Sequence, residues 1–471
     1  NDTISEAHYS SNAALVIATA NVSLVSNIDD LTFTGTANLS GLGNYATDIL
    51  TSNTGTDTLV GRSLLGTDTF VVNNVNDIIT ETYDGSQASV EADVNWTLGT
   101  HIANLILEGS ANLTGTGNNK VDTITGNTGN DVLIAGSGNA NLIGNSSTGN
   151  DTFIVNSASD NATETNSGNA IVESSANFTL GTNNTNKLIL TAGSLKGTGN
   201  SNTDILSDDG VGGGADTLVG ESSSGSDTFL VNNSNDTVSE AHYSSNTALV
   251  VSTANFSLVS NVDDLTFTGT ANLSGLGNYA TDIITSNTGT DTLVGRSLVG
   301  SDTFVVNNAN DIVTETYDGS TALVISDANW TLGTHFSDLT LTASGITGTG
   351  NNKNDTITDD GSYGGDTLVG GTGADDFVLA GAAAYNSIDV LQNFSTARSD
   401  KIDISSLMVA AGYHSGTSTL ADFVHAVNSG SSSLLQVDTT GTGSHFQTVA
   451  TITSVTNINV ATYVSNGNLV V

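Results

Sequence analysis

The chain carries 471 residues, with 52 Gly, one Met and neither Pro nor Cys, and its 48 acidic against 8 basic residues give a formal net charge of −40. That field repels nucleic acid and anionic membrane, and no stretch reaches the roughly 20 apolar residues of a membrane span. Without Cys there is no disulfide and no thiolate site, so the counter-charge such a chain attracts is a hard cation; Asp in Gly/Asn-rich turns suits calcium better than zinc or copper.

The chain opens on NDTISEAHYSSNAALV, and Asn235 opens NDTVSEAHYSSNTALV; the shift of 234 residues holds from Asn1/Asn235 to Trp96/Trp330. Inside this long period lies a shorter one, with units of about 75 to 84 residues beginning near Asn1, Asn76, Ser159, Asn235 and Asn310. Each unit runs through the same parts. An acidic phrase such as NDIITE comes first, then an alternating strand such as VNWTLG (94–99), then a second such as NLILEG. A Gly-Asn turn leading to an aspartate follows, as in GTGNNKVDTI, and short blocks ending in DTLV and DTFVV close the unit. β-branched residues alternating between Gly/Asn turns predict strand throughout. Helical periodicity is confined to TLADFVHAV (419–427).

Short strands in tandem cannot bury their apolar faces alone and must stack on neighbours. The expected fold class is all-β: one parallel β-solenoid over residues 1 to about 380, with a small C-terminal capping domain. Its divisions are 1–234, with three units (about 1–75, 76–158 and 159–234), 235–380, with two units, and 381–471, the capping domain.

The sharpest motif is GGTGADDFV (370–378), which fits G-G-x-G-x-D-x-U-x, with U a large apolar residue, without a mismatch. GNTGNDVLI (126–134) fits with one departure, and AGSGNANLI (135–143) follows in frame with Ala140 at the aspartate position. Glycines let a tight turn take positive φ and bring its carbonyls close to an ion. The aspartate adds a carboxylate, and U points inward from a short strand. Successive nonapeptides lie on opposite edges, so turns that share an ion are expected about 18 residues apart.

The aspartates form a ladder with a regular excess over that spacing. Asp48, Asp57, Asp68 and Asp77 step by 9, 11 and 9, so alternate members are 20 apart. The same 20 separates Asp131 from Asp151, Asp216 from Asp236, Asp282 from Asp302, Asp291 from Asp311 and Asp355 from Asp375. With Asp122, Asp204, Asp227 and Asp366 these are the candidate ligands for multiple Ca2+ ions, and the turns at Asp366 and Asp375 belong to the block with the complete pattern. A ladder Asp can instead cap its own turn by accepting a backbone N–H, with no metal. For turns of the SNTGTD type both readings stand.

These residues resemble RTX-type (haemolysin-type) calcium-binding proteins exported by type I secretion, and the resemblance covers nearly the whole chain. The unit with DTFVVNNVNDIITE, NLILEG and GTGNNKVDTITGN is similar to a long repeat of large bacterial RTX proteins. DVLQNFSTARSDKIDISSL (389–407) is similar to the element after their last block, and the tail from VDTTGTGSHF onward to a type I secretion target domain. The resemblance implies export by the type I secretion machinery straight to the cell exterior, with folding on meeting calcium.

Other candidates read as structure. Trp96 and Trp330 stand where sibling units hold Val22, Phe178 and Phe256, and so belong to the core. His8 and His242 align with Tyr83 and Tyr317, an exchange no catalytic histidine tolerates, while His101 and His335 align with Asn27 and Asn183, which predicts a loop. HExxH and GxSxG do not occur, and GGTGADD lacks the GK[ST] of a phosphate loop, so no enzyme is expected.

The expected function is therefore that of a non-enzymatic, calcium-stiffened extracellular subunit of a surface layer, matrix fibre or filament. Its partners are copies of itself or cell-surface glycans, without nucleic acid or membrane insertion. The alternative is the stalk and export region of a larger RTX adhesin or RTX enzyme with its effector upstream. A start on Asn1 rather than Met points to upstream loss, and leaves Asp2 awaiting the partner that Asp227 gives Asp236. That end is expected to stack on another chain or on a removed segment.

Overall fold

A computed structural model describes residues 14–471 apart from 85–86, 167, 183–184, 209, 211–212, 224–225, 242–247, 300, 318–321, 362–363 and 382–387. The opening phrase with Asp2 and His8, and also His242, lie outside the described residues. The chain divides into two units, Asn1–Ser245 and Asn246–Val471.

In the first unit the strands are short, two to six residues each, because Gly/Asn turns interrupt every apolar run. A strand pairs not with its sequence neighbour but with the strand two further on, always in parallel. The chain therefore coils, laying successive strands alternately on two opposed faces. One face runs in spatial order from Leu15–Ala18 through Asp30–Phe33, Ile49–Thr51, Thr69–Val72, Ser89–Ala92, Asn104–Leu107, Asp122–Thr125 and Ala140–Gly144 to Asn161–Glu164. Thr58–Gly61, between Ser40–Leu42 and Ile78–Glu81, belongs to the opposed face. The period-2 alternation puts every second side chain inside. Register then stacks like on like: Leu31, Leu50, Phe70, Val90, Leu105, Ile124 and Leu142 form one continuous apolar column. All seven are fully buried. At about 25 cal/mol per Å2 of apolar area, this column is what holds the stack together.

The second unit repeats the device. Leu265, Ile284, Phe304, Val324, Leu339, Ile357, Phe377 and Ile402 stack in register on one face. Its other face ends in an antiparallel meander of Val424–Ser429, Ser432–Asp438 and Phe446–Ile452. Here one expectation is corrected. TLADFVHAV is not helical: a 3-10 turn at Leu420–Asp422 leads into the strand Val424–Ser429, whose Val424 and Val427 oppose Val437 and Leu434. β-branched valines beside an open strand edge favour pairing over helix, whatever the local period. Among the described residues the α-helices are Ser405–Ala410 and Val460–Ser465, the latter capped by Asn459, whose Oδ1 accepts the Thr462 N–H at 2.9 Å.

Trp96 and Trp330 are core residues, each 8% exposed. His101 and His335 sit in loops, and their Nδ1 atoms lie 2.9 and 2.7 Å from the carbonyl oxygens of Glu81 and Glu315. The architecture is all-β and parallel-coiled, and among the described residues no helix is long and apolar enough to cross a membrane.

Candidate metal centres

Many coils place an aspartate where a turn enters a strand, and its side chain is buried; Ala88, Ala103, Ala140 and Ala170 hold the place in others. All of the candidate ligands are buried, none more than 7% exposed. Asp57 shows the local logic. Its Oδ2 accepts the N–H of Asn53 in its own turn at 2.7 Å, and its Oδ1 accepts the Leu39 N–H one coil earlier, also at 2.7 Å. One carboxylate thus closes its turn and fastens it to the coil before.

The 20-residue recurrence is this same contact. The N–H of Asp48 donates to Asp68 Oδ1 at 2.8 Å, that of Asp57 to Asp77 at 2.7 Å and that of Asp131 to Asp151 at 2.6 Å. Asp216 donates likewise to Asp236, Asp282 to Asp302, Asp291 to Asp311 and Asp355 to Asp375. Asp204 and Asp227, 23 apart, do the same, and Asp366 accepts from Ile346 N–H at 3.0 Å. The ladder aspartates thus accept backbone N–H groups, some across coils and some, as Asp48 from Asn44 and Asp131 from Asn127, within their own turn. The Gly-Asn turns contribute a second clip. The side-chain amide of Asn44 donates to the Val25 and Ile28 carbonyls, and Asn118, Asn200, Asn278 and Asn351 repeat the contact.

What remains after this is informative. Asp57, Asp68, Asp131, Asp151, Asp227, Asp236, Asp291 and Asp302 have both oxygens engaged by backbone N–H groups. Asp48, Asp77, Asp122, Asp204, Asp282, Asp311, Asp355, Asp366 and Asp375 each keep one buried oxygen with no hydrogen-bond partner. A buried carboxylate without a partner is held against its desolvation cost. Burial accordingly pushes Asp48, Asp204 and Asp355 up to about 7, against the pull of one backbone N–H each; Asp68, Asp227 and Asp375 add like charge. Asp282 reaches about 8, with Asp302 beside it, and Asp122 about 6. Such oxygens call for a proton or a cation, and an all-carboxylate donor set without His or Cys fits a hard ion.

Two arrangements escaped the sequence reading. Asp208, absent from the ladder, ends the strand Ile205–Asp208 and meets Asp216 and Asp236; one oxygen of each lies within 4.8 Å of the others, all three side chains being buried. The Asp208 Oδ2 has no hydrogen-bond partner. The other arrangement sets a glutamate against a ladder aspartate: Glu81 against Asp68, Glu164 against Asp151, Glu240 against Asp227 and Glu315 against Asp302. Its sequence signal is a constant 13-residue interval from Asp to the Glu that ends each acidic phrase. No family model, no curated protein and no solved structure matches the chain.

Proposed function

We propose that the protein is a secreted calcium-binding structural protein that self-assembles outside the cell, as the subunit of a surface layer, matrix fibre or filament. The observation that carries this reading is the regular file of buried carboxylates with unpartnered oxygens along a chain of net charge −40. Divalent ions at those turns neutralise the file and stiffen the coils; without them the charge repels itself. The RTX-like nonapeptide at 370–378 and the target-domain-like tail support export by type I secretion and calcium as the ion. Exposed apolar turns support assembly with further copies. Leu64 and Leu65, 60% and 76% exposed, and their counterparts Leu298 and Val299, 62% and 69% exposed, sit on turns beside Tyr45–Arg62 and Tyr279–Arg296 stacks. No catalytic role is assigned.

Electron microscopy of the purified chain, calcium-free and in millimolar calcium, tests the reading. Ordered polymers that appear only with calcium are expected, and dispersed particles in both conditions overturn self-assembly.

A further inference from the structure

The strand Ile205–Asp208 ends on an acid at a place where siblings carry Ser or Gly. Counting four residues on from the ladder aspartate gives Ser52 after Asp48, Gly126 after Asp122, Ser286 after Asp282, and Asp208 after Asp204. In the ordinary turn a hydroxyl meets the next carboxylate: Ser52 lies against Asp77, and Ser286 against Asp311, each favouring the charged form. At Asp208 that neutral donor is replaced by a third acid. Its Oδ1 accepts the Gly210 N–H at 2.5 Å and its Oδ2 has no hydrogen-bond partner, while one oxygen of the carboxyl group lies within 4.8 Å of an oxygen of Asp216 and of Asp236.

Asp236 cannot turn away to relieve the crowding. Its Oδ1 is tied to the Asp216 N–H at 2.8 Å and its Oδ2 to the Asn233 N–H at 3.2 Å, and Asp216 Oδ1 is tied to the Leu195 N–H at 2.6 Å. Three carboxylates are thus fixed by backbone, buried, and convergent to within 4.8 Å, the one such trio among the described residues. Like charges at this spacing are strongly unfavourable in a site shielded from water unless a proton or a cation lies between them, and burial with Asp208 beside it already raises Asp236 to about 6. Oxygen-only ligation with up to three negative charges selects a hard divalent ion that tolerates irregular geometry, which is calcium rather than magnesium or zinc.

We infer that Asp208, Asp216 and Asp236 form a discrete calcium site, in which the strand-end carboxylate of Asp208 joins two ladder aspartates. This rests on the cation-binding reading given above and narrows it to one named site. The second unit holds a related set: Asp359 stands four residues after Asp355, and buried oxygens of Asp359, Asp366 and Asp389 lack partners.

The test counts calcium bound by the whole chain, by equilibrium dialysis against radioactive calcium with calorimetric titration of CaCl2, and compares Asp208→Ser with Asp208→Asn. Serine is the residue that siblings Ser52 and Ser286 carry at this place, so the coil retains a side chain it already accommodates; asparagine keeps the size. Both variants are expected to lose roughly one tightly held ion per chain and part of the calcium-induced rise in melting temperature, with unchanged circular dichroism in calcium. Undiminished ion uptake in both variants overturns the site while leaving calcium binding by the chain intact. A wild-type chain that takes up no calcium overturns the site and the broader reading together.

Discussion

Glu81 and Asp68 meet over Gly61: a methyl group placed on that glycine would lie 2.5 Å from Asp68 Oδ2 and 2.7 Å from Glu81 Oε2. Glu81 Oε1 accepts the Thr82 and Tyr83 N–H groups at 2.7 and 3.1 Å, and no donor reaches Oε2, which leaves the Asp68 carboxylate as its neighbour. Asp68 is itself tied by the N–H groups of Asp48 and Ser63. A pair built this way is comfortable only when one proton is shared between the two acids.

Stability of the ion-free chain should therefore fall as pH rises. Burial, with Asp68 adding like charge, pushes Glu81 from 4.5 up to about 7, and Glu164 and Glu315 behave alike beside Asp151 and Asp302. Asp48, Asp204 and Asp355 also reach about 7. In the window from about 4.5 to about 7 the folded chain keeps protons that the unfolded chain has released, so each step upward in pH favours unfolding. The contribution is complete below that window and gone above it. Thermal melts of ion-free protein should show a melting temperature lower by more than about 5 °C at pH 8 than at pH 5. A melting temperature that rises with pH contradicts the shared-proton picture. Glu81→Gln, which keeps a neutral side chain against Asp68, should flatten part of the slope and stabilise the chain at pH 8 by about 1 kcal/mol.

Removing a ladder carboxylate should cost more than removing a surface charge. Asp57→Ala strands the Leu39 and Asn53 N–H groups, both now bonded at 2.7 Å inside the stack. At about 1–3 kcal/mol for each buried donor left unsatisfied, the expected loss is roughly 2–6 kcal/mol. Urea unfolding in excess calcium reads it directly. A loss below about 0.5 kcal/mol means that Asp57 does not fasten the coils.

Spacing disclosed the coil because coil length decides which turns stack: steps of 9 and 11 bring Asp48 onto Asp68 and Asp57 onto Asp77. It could not disclose where each carboxylate points, since the turn's own N–H groups compete for it and their directions follow from backbone conformation. The Glu81–Asp68 pair had a signal in its fixed interval of 13, but its meaning depends on two faces of one coil closing across Gly61. Asp208 was hidden differently. SDDG reads as one more acidic turn until Asp208 is set against Ser52 and Ser286 at the same place. TLADFVHAV misled because a helical period in nine residues gives way to an available strand edge.

Two aromatic substitutions should separate a core position that tolerates no loss of volume from one that exchanges between units. Phe70 is fully buried in the Leu50–Phe70–Val90 column, so Phe70→Ala should cost about 3–5 kcal/mol. Trp96 fills a place that Phe178 and Phe256 fill in other units, so Trp96→Phe should cost less than about 1.5 kcal/mol. Denaturant midpoints at constant slope decide the comparison. Equal losses would mean that the Trp96 position is not interchangeable between units.

Gly61 gives the sharpest test of how tightly the carboxyl pair is enclosed. An added Cβ would meet Asp68 Oδ2 at 2.5 Å, Glu81 Oε2 at 2.7 Å and Phe70 Cζ at 2.7 Å. None of the three can yield easily: both acids are anchored by backbone N–H groups, and Phe70 has no exposed surface. Gly61→Ala should therefore cost about 3 kcal/mol and also flatten the pH dependence, because forcing the acids apart removes their shared proton. Gly109→Ala provides the contrast. That glycine sits at φ 88° with nothing within 4 Å of an added Cβ, so the substitution carries only the strain of a left-handed backbone, about 1–2 kcal/mol. It should leave the pH dependence as it is. A Gly61→Ala variant whose melting temperature follows pH as steeply as the wild type would show that Glu81 and Asp68 titrate independently.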